Sequence, residues 1–179
     1  MFLCKWKYQF KSNNMKKTIW ILLLLAVTSG CSSTDKKAAM NIALIEQYVQ
    51  AVEDLDYEVM ASMLADNYIG HGPSVNDSIM KPEVIISWKD HVENLYESID
   101  YNKSRNISVV IESGENKGEW VSNWAELEIV YKKDKKAVTI WTNTVYKVEN
   151  GKIAKSLTFY NEADVLEQLG YVFINPNDL

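Results

Sequence analysis

The chain is poor in cysteine, histidine and positive charge. Its 179 residues include two cysteines and two histidines, and 24 acidic residues outnumber 19 lysines and arginines. Nucleic-acid phosphates are bound by clustered positive charge, and the sequence has no basic patch, so we expect no nucleic-acid partner. His71 and His91 do not form a metal-binding motif, and no second set of ligands accompanies them. The sequence therefore predicts neither a metal site nor a cofactor.

The first residues have the composition of a secretion signal. From Met15 the sequence reads MKKTIWILLLLAVTSGC, in which two lysines precede an apolar run and then small residues. This order is typical of a secretory signal peptide. The apolar run, Ile19 to Val27, is about half of the roughly 20 residues that a membrane-spanning helix needs. Met15 is the better candidate for the start of translation, and we interpret residues 1–14 as the result of a start codon assigned too far upstream.

The end of this signal, Thr28-Ser29-Gly30-Cys31, resembles the lipobox of bacterial lipoproteins. The resemblance implies lipidation of Cys31 and a location in the bacterial cell envelope, with the lipid as the only membrane anchor. Thr28 departs from the pattern, which usually has Leu, Val or Ile there. The alternative is ordinary secretion with a chance cysteine.

Cleavage before Cys31 would change the chemistry of the chain. It would remove Cys4 and leave no cysteine besides the lipidated Cys31, so we expect no disulfide, no cysteine-based metal site and no cysteine nucleophile. It would also remove five of the 19 basic residues and no acid, leaving 14 against 24 and a formal net charge of −10. The mature protein is therefore expected to be strongly acidic.

The remaining residues show helical periodicity first and strand periodicity afterwards. We divide the chain into 1–30 (upstream segment and signal peptide), 31–38 (polar tether) and 39–175 (one folded domain). Apolar spacing predicts three helices, over 39–54, 57–66 and 82–99. After Tyr101 the period changes to two, which predicts four strands, the last three joined by short antiparallel turns, before a helix over 163–169. This order predicts an α+β class with the helices packed on one face of the sheet.

Four strings, taken in order, resemble the SnoaL-like branch of the nuclear-transport-factor-2-like superfamily. They are LADNYIGHGP, GEWVSNWAE, NTVYKVENGKI and FYNEADVLEQLG, and the resemblance covers roughly residues 40–171. It implies a curved sheet that wraps around three helices to form a cone with an apolar pocket at its mouth. Members include polyketide cyclases, isomerases, dehydratases, hydrolases and many non-catalytic binding modules, so the fold alone does not select a function.

The resemblance places two asparagines in the pocket. Asn161 falls where the family has its functional acid, and Asn143 falls at a neighbouring position that often holds histidine or another polar residue. An amide cannot act as a general base, but it can hydrogen-bond a ligand. We expect the strand faces that carry Asn143 and Asn161 to line the pocket. The alternative for Asn161 is a helix cap, with its side-chain oxygen accepting from the amide of Ala163 or Asp164.

His71 is the predicted catalytic residue. The resemblance places it at the family's histidine in the loop after the second helix, at the pocket rim, where imidazole could act as acid or base. The alternative is a structural hydrogen bond to the backbone, because glycines flank it. Aromatic residues are expected to line the pocket, or to pack as ordinary core: Tyr68, Trp88, Trp141 and Phe159.

The long strand over 118–131 has one apolar face and one mixed face. Asn123, Ala125 and Leu127 belong to the apolar face, which is expected to face the core. The opposite face carries two tryptophans and two acids: Trp120, Trp124, Glu126 and Glu128. We expect it on the outside of the sheet, where this superfamily commonly forms a homodimer. The alternative is a buried Glu126 that supplies the missing acid.

These observations favour a lipid-anchored envelope protein that binds a small apolar ligand or a partner without family-type acid–base catalysis. The alternative is a cyclase, isomerase or dehydratase in which His71 is the acid or base and Asn143 and Asn161 polarise the substrate. A third interpretation is a structural scaffold whose cone is filled by its own side chains. The sequence leaves open whether the protein is an enzyme.

Overall fold

The computed structural model describes residues 33–175 and 177 of the chain. The chain divides into two compact units, residues 1–36 and 37–179. The described part of the first unit is the beginning of one helix, and the second unit holds the other elements. The predicted signal peptide, with Cys4 and Cys31, lies outside the described residues. Within the described ranges, no helix is long and apolar enough to cross a membrane.

Three helical segments precede most of the sheet. Helix α1, Ser33–Glu53, begins inside the predicted tether and buries one face, which carries Ile45, Tyr48, Val49 and Val52 at helical spacing. Asp56 caps α2, Tyr57–Met63, because its side chain accepts from the Val59 amide at 3.0 Å. Helix α3, Lys81–Asp90, is followed by one π-helical turn, His91–Leu95.

The described strands form one open, mixed, six-stranded sheet in the order β2-β1-β6-β5-β4-β3. Their bounds are Leu64–His71 (β1), Ser78–Met80 (β2), Tyr96–Ile111 (β3), Gly118–Tyr131 (β4), Ala137–Glu149 (β5) and Lys152–Tyr160 (β6). Strands β1 and β6 pair in parallel, and the other neighbours are antiparallel. Helix α4, Glu162–Leu169, follows β6. The predicted α+β class is confirmed.

Several segments differ from the sequence prediction, which gave four strands and did not include β1 or β2. Residues 64–71 form β1 and not a helix end and a loop, because they pair with β6, about 90 residues later in the chain. The third predicted helix stops at Leu95, and β3 begins at Tyr96. Ile99 is buried opposite Ile129 of β4, so its apolar character serves a strand and not a helix face.

The two faces of the sheet differ in burial. The inner face packs in the core and carries alternating buried residues of β4 and β5: Val121, Asn123, Ala125, Leu127, Ile129, Val138, Ile140, Thr142, Thr144, Tyr146 and Val148. The register aligns Trp124, Asn143 and Phe159 in one row of the opposite, outer face. The predicted faces of β4 are confirmed, although Trp120 is buried, with its indole N–H donating to the Asn116 carbonyl at 2.8 Å.

The same register corrects the prediction for β5 and β6. Trp141, Asn143 and Phe159 were expected to face a pocket, and that placement is wrong. Trp141 is 60% exposed and Phe159 is 52% exposed. Paired residues of neighbouring strands project to the same side of a sheet. Asn143 lies opposite Trp124, which is on the outer face, so Asn143 is on the outer face as well. The same holds for Phe159, which lies opposite Asn143, and for Trp141, which is two residues away on the same strand.

Candidate functional site

Asn161 is the N-cap of α4. Its Oδ1 accepts from the Asp164 amide at 3.3 Å, and the residue is exposed. The helix ends at Gly170, whose φ of 96° suits glycine. The structure therefore shows the capping alternative, and Asn161 does not line the interior of the domain.

Asn143 is engaged on the outer face. Its Nδ2 donates to Ser122 Oγ at 2.8 Å and to the main-chain oxygen of Asn123 at 3.1 Å. Beside it, the Lys103 ammonium lies 5.6 Å from the centroid of the Trp141 ring. Asn143 and Trp141 thus belong to an exposed aromatic surface with hydrogen-bonding groups between its rings.

His71 is the last residue of β1 and is half-buried. It lies opposite Leu157 of β6, which in turn lies opposite Val145 of β5. This row is on the outer face. Among the described residues, no hydrogen bond orients the His71 ring or joins it to Asn143 or Asn161. The three residues of the proposed catalytic alternative are therefore not assembled into a site with an oriented base.

Trp88 belongs to an aromatic cluster between α3, the π-helical turn and the sheet. The His91 ring lies 6.1 Å from Trp88 and 5.4 Å from Tyr96, between ring centroids. Tyr96 also lies 5.7 Å from Tyr131. Burial, and then the neighbouring phenols, raise the pKa of Tyr96 well above its usual value. This cluster is ordinary partly buried packing, which was the alternative to a pocket position for Trp88.

Four tyrosines from different elements meet in the interior, and we call them the tyrosine cluster: Tyr48 of α1, Tyr68 of β1, Tyr101 of β3 and Tyr146 of β5. The rings of Tyr48 and Tyr146 pack edge to face, 5.8 Å apart. Tyr68 Oη lies 2.7 Å from Ser156 Oγ.

The phenols of the tyrosine cluster are held protonated. Burial raises the pKa of Tyr48 and of Tyr146 well above the usual value, and nearby phenols of the cluster raise both further. Burial also raises the pKa of Tyr101 to about 12, although Tyr101 as a whole residue is only half-buried. At neutral pH the cluster therefore supplies hydrogen-bonding groups and no base.

A row of uncharged polar side chains crosses the inner face beside this cluster: Asn106, Asn123, Thr144 and Thr158. Asn123 is 1% exposed, and its Nδ2 donates to Ser104 Oγ at 2.8 Å and to Asn106 Oδ1 at 2.9 Å. Its Oδ1 is buried without a hydrogen-bond partner among the described residues. Leaving a buried acceptor unsatisfied costs about 1–3 kcal/mol.

Asn123 was expected on the core face, but neither its role nor the involvement of Tyr48, Tyr101 and Tyr146 was predicted from the sequence. The available signal was a lone amide within an apolar alternation that includes Val121 and Ala125. Tyr48 also lies three residues after Ile45 on the buried stripe of α1. Bringing these residues together needs the strand register, which local periodicity does not give.

Two open clefts flank the turn between β5 and β6. The larger has a volume of about 620 Å³ and lies between α1 and the turn at Asn150 and Gly151. The smaller, about 380 Å³, includes Asp66 and Lys81, which form an ion pair of 2.9 Å. Neither is lined by the tyrosine cluster or by a predicted pocket residue. Over the described residues, no group of three or more His, Cys, Asp or Glu side chains is placed to hold a metal ion.

Solved structures share this fold at low sequence identity. A protein assigned to the polyketide cyclases, from Xanthomonas campestris pv. campestris, is 13% identical, with 74% of this chain and 98% of its own covered and a TM-score of 0.62. A protein assigned to the SnoaL-like polyketide cyclases, from Shewanella denitrificans OS-217, is 14% identical, with 72% and 96% covered and a TM-score of 0.57.

A third similar structure is an LEH-like epoxide hydrolase from M. tuberculosis, 12% identical, with 74% and 86% covered and a TM-score of 0.57. A scan of family models finds no match, and a search of curated proteins finds no similar sequence. The expected SnoaL-like, nuclear-transport-factor-2-like fold is confirmed. At these identities the likeness concerns the fold and not the activity.

Proposed function

We propose that this protein binds a small, largely apolar molecule in the interior beneath α1 and does not carry out family-type acid–base chemistry there. The observation that carries the proposal is the Asn123 Oδ1 atom, an acceptor buried at the middle of the inner face that receives no hydrogen bond from residues 33–175. Buried polar atoms are normally paired. A hydroxyl or N–H group on the bound molecule would satisfy it.

The surroundings of Asn123 support binding without catalysis. Thr144 Oγ1 and Thr158 Oγ1 hydrogen-bond each other at 3.2 Å, and neither hydroxyl titrates near neutral pH. The raised pKa values of Tyr48 and Tyr146 keep their phenols protonated. A general base needs a pKa near the working pH. These side chains can therefore orient a molecule, and none of them can remove a proton from it efficiently.

Binding in the interior requires a rearrangement of the tyrosine cluster. Tyr48 and Tyr146 occupy the space between α1 and the sheet in this structure. The apolar body of the bound molecule would take the place of one of these rings, and its donor group would reach Asn123. This requirement favours a compact molecule of one or two rings.

The proposal includes a lipid anchor at Cys31 and a homodimer formed through the outer face. The lipobox-like residues before Cys31 support the anchor. Trp124, Trp141 and Phe159 support the dimer, because they expose aromatic rings on one face of the sheet, with Asn143 between Trp124 and Phe159. The ion pair of Lys103 with Glu126, at 2.7 Å, lies beside it. An apolar centre with polar groups around it is typical of protein interfaces.

Native mass spectrometry of the purified full chain tests the interior site. After incubation with a cell-envelope extract, the wild type is expected to retain a small molecule that is also found, with unchanged mass, in the extract. Asn123→Leu should lose it, and Asn143→Leu, a matched change on the outer face, should keep it. A wild type that retains nothing, an Asn123→Leu variant that retains as much, or a molecule released with altered mass contradicts the proposal.

A further inference from the structure

The larger cleft is separate from both the interior and the outer face. Its volume of about 620 Å³ is typical of small-molecule sites. One wall is the face of α1 that carries Met40 and Leu44, and the other is formed by Val148 and the β5–β6 turn. Met40 is 62% exposed. The cleft thus offers the exposed Met40 side chain beside the partly buried Leu44.

A carboxylate is fixed in this cleft. Glu119, at the start of β4, accepts a hydrogen bond from Asn41 Nδ2 on its Oε2 atom at 2.8 Å. Its Oε1 atom pairs with the Lys37 ammonium. Asn41 is 6% exposed, so Glu119 is held from inside the domain on one side. The Lys37 contact first, and the Asn41 hydrogen bond in addition, keep the pKa of Glu119 below its ordinary value.

The two partners of Glu119 are not equally fixed. The Lys37 side chain is 65% exposed, against 20% for Glu119. Ion pairs made by exposed lysines contribute little to stability, because water and salt compete with them. Asn41 is buried, so breaking its hydrogen bond to Glu119 would leave its side-chain amide buried and unpaired. Glu119 is therefore a preorganised anion whose cationic partner is exchangeable.

We propose that this cleft binds a primary alkylammonium ion, which replaces Lys37 on Glu119 and lays its alkyl chain against Met40, Leu44 and Val148. The fixed carboxylate and the open apolar wall lie in the same cleft. Glu149 also lines the cleft, with its carboxylate paired to the Lys147 ammonium at 2.8 Å. The formal net charge of −5 also favours the approach of cations.

Isothermal titration calorimetry of the purified full chain with hexylammonium chloride tests the site. Hexan-1-ol and sodium hexanoate serve as matched probes that lack the positive charge. Hexylammonium is expected to bind saturably and at least tenfold more tightly than either. Glu119→Gln should weaken binding at least tenfold, and Lys37→Ala should tighten it severalfold by removing the internal competitor. Glu167→Gln, an exposed change on α4, should leave it unchanged.

Several results would overturn the proposal. The first is that the wild type does not bind hexylammonium saturably. The second is that it binds hexan-1-ol as tightly as hexylammonium, and the third is that Glu119→Gln binds hexylammonium as tightly as the wild type. Weaker binding by Lys37→Ala overturns it independently, and this exposed position is suited to substitution even if Glu119→Gln does not fold. Asn123→Leu should leave hexylammonium binding unchanged, so the result does not depend on the interior site.

Discussion

Asn123 Nδ2 donates a hydrogen bond of 2.8 Å to Ser104 Oγ, and this contact ties the centre of β4 to the irregular pairing in the edge strand β3. The amide nitrogen is used a second time by Asn106 Oδ1 at 2.9 Å. The amide oxygen of the same side chain receives no hydrogen bond within the part of the chain that the structure describes. One residue thus combines a structural contact with a free buried acceptor.

Replacing Asn123 with aspartate should be strongly destabilising at neutral pH. The change removes both donated hydrogen bonds and buries a negative charge, which we expect to lower the free energy of unfolding by about 3 kcal/mol or more. Burial raises the pKa of such a carboxyl in the folded state, so the deficit should shrink as the pH falls and the carboxyl is protonated. Urea unfolding at pH 5 and pH 8 measures both effects. Asn143→Asp, on the outer face, is the control, and an equal or pH-independent loss in the two variants would contradict the account.

Tyr101 should make the protein less stable in alkali. Its folded pKa of about 12 lies above the ordinary value of 10.0. The stabilisation of the folded state that this pKa difference provides is therefore fully present below pH 10. It is lost as the pH rises through about 12, and the loss reaches roughly 2–3 kcal/mol in the free energy of unfolding. Urea unfolding between pH 9 and 12 should show a shallower decline for Tyr101→Phe than for the wild type. Tyr171→Phe, at a 63% exposed position, should decline like the wild type, and parallel curves for all three proteins would show that Tyr101 is not the cause.

Asn161→Ala should lower the free energy of unfolding by about 1 kcal/mol, because it removes the cap of α4. Asn161→Asp keeps an acceptor at the cap and should be close to the wild type. Thermal unfolding of the three proteins measures this difference. Ligand binding in the interior should be unchanged in both variants. If Asn161→Ala lost binding and kept full stability, Asn161 would be a ligand contact and not a cap.

Trp141→Glu should dissociate the proposed homodimer. It places a charge at a 60% exposed position of the outer face, where an apolar partner surface is expected. Analytical ultracentrifugation of the wild type should show a dimer, and the variant should be a monomer at the same concentration. Ile86→Glu, at a 70% exposed position of α3, is the control and should remain dimeric. If the wild type is a monomer, the proposal of a homodimer is wrong.

The sequence predicted some strand faces correctly and others wrongly for a physical reason. Alternation in β4 separates apolar from mixed positions clearly, and its faces were correct. In β5, both Ile140 and its neighbour Trp141 are apolar, as are Val145 and Tyr146, so alternation alone does not say which face is buried. The register with β4 decides this question.

Strand β1 could not be found by periodicity, because its pairing is non-local. Its residues become a strand only where Ile69, Gly70 and His71 meet β6 in parallel. The same limit applies to the interior. Tyr68 was expected either to line the pocket or to pack as ordinary core, whereas Tyr48, Tyr101 and Tyr146 meet only in the folded domain.

The most direct test of the central claim is a titration of the wild type and Asn123→Leu with 2-decalol and 2-decalone. These compounds have the same rings, but only the alcohol can donate a hydrogen bond to Asn123 Oδ1. The wild type should bind the alcohol at least tenfold more tightly than the ketone, and Asn123→Leu should lose this preference. Absence of saturable binding, or the same preference in both proteins, would contradict it.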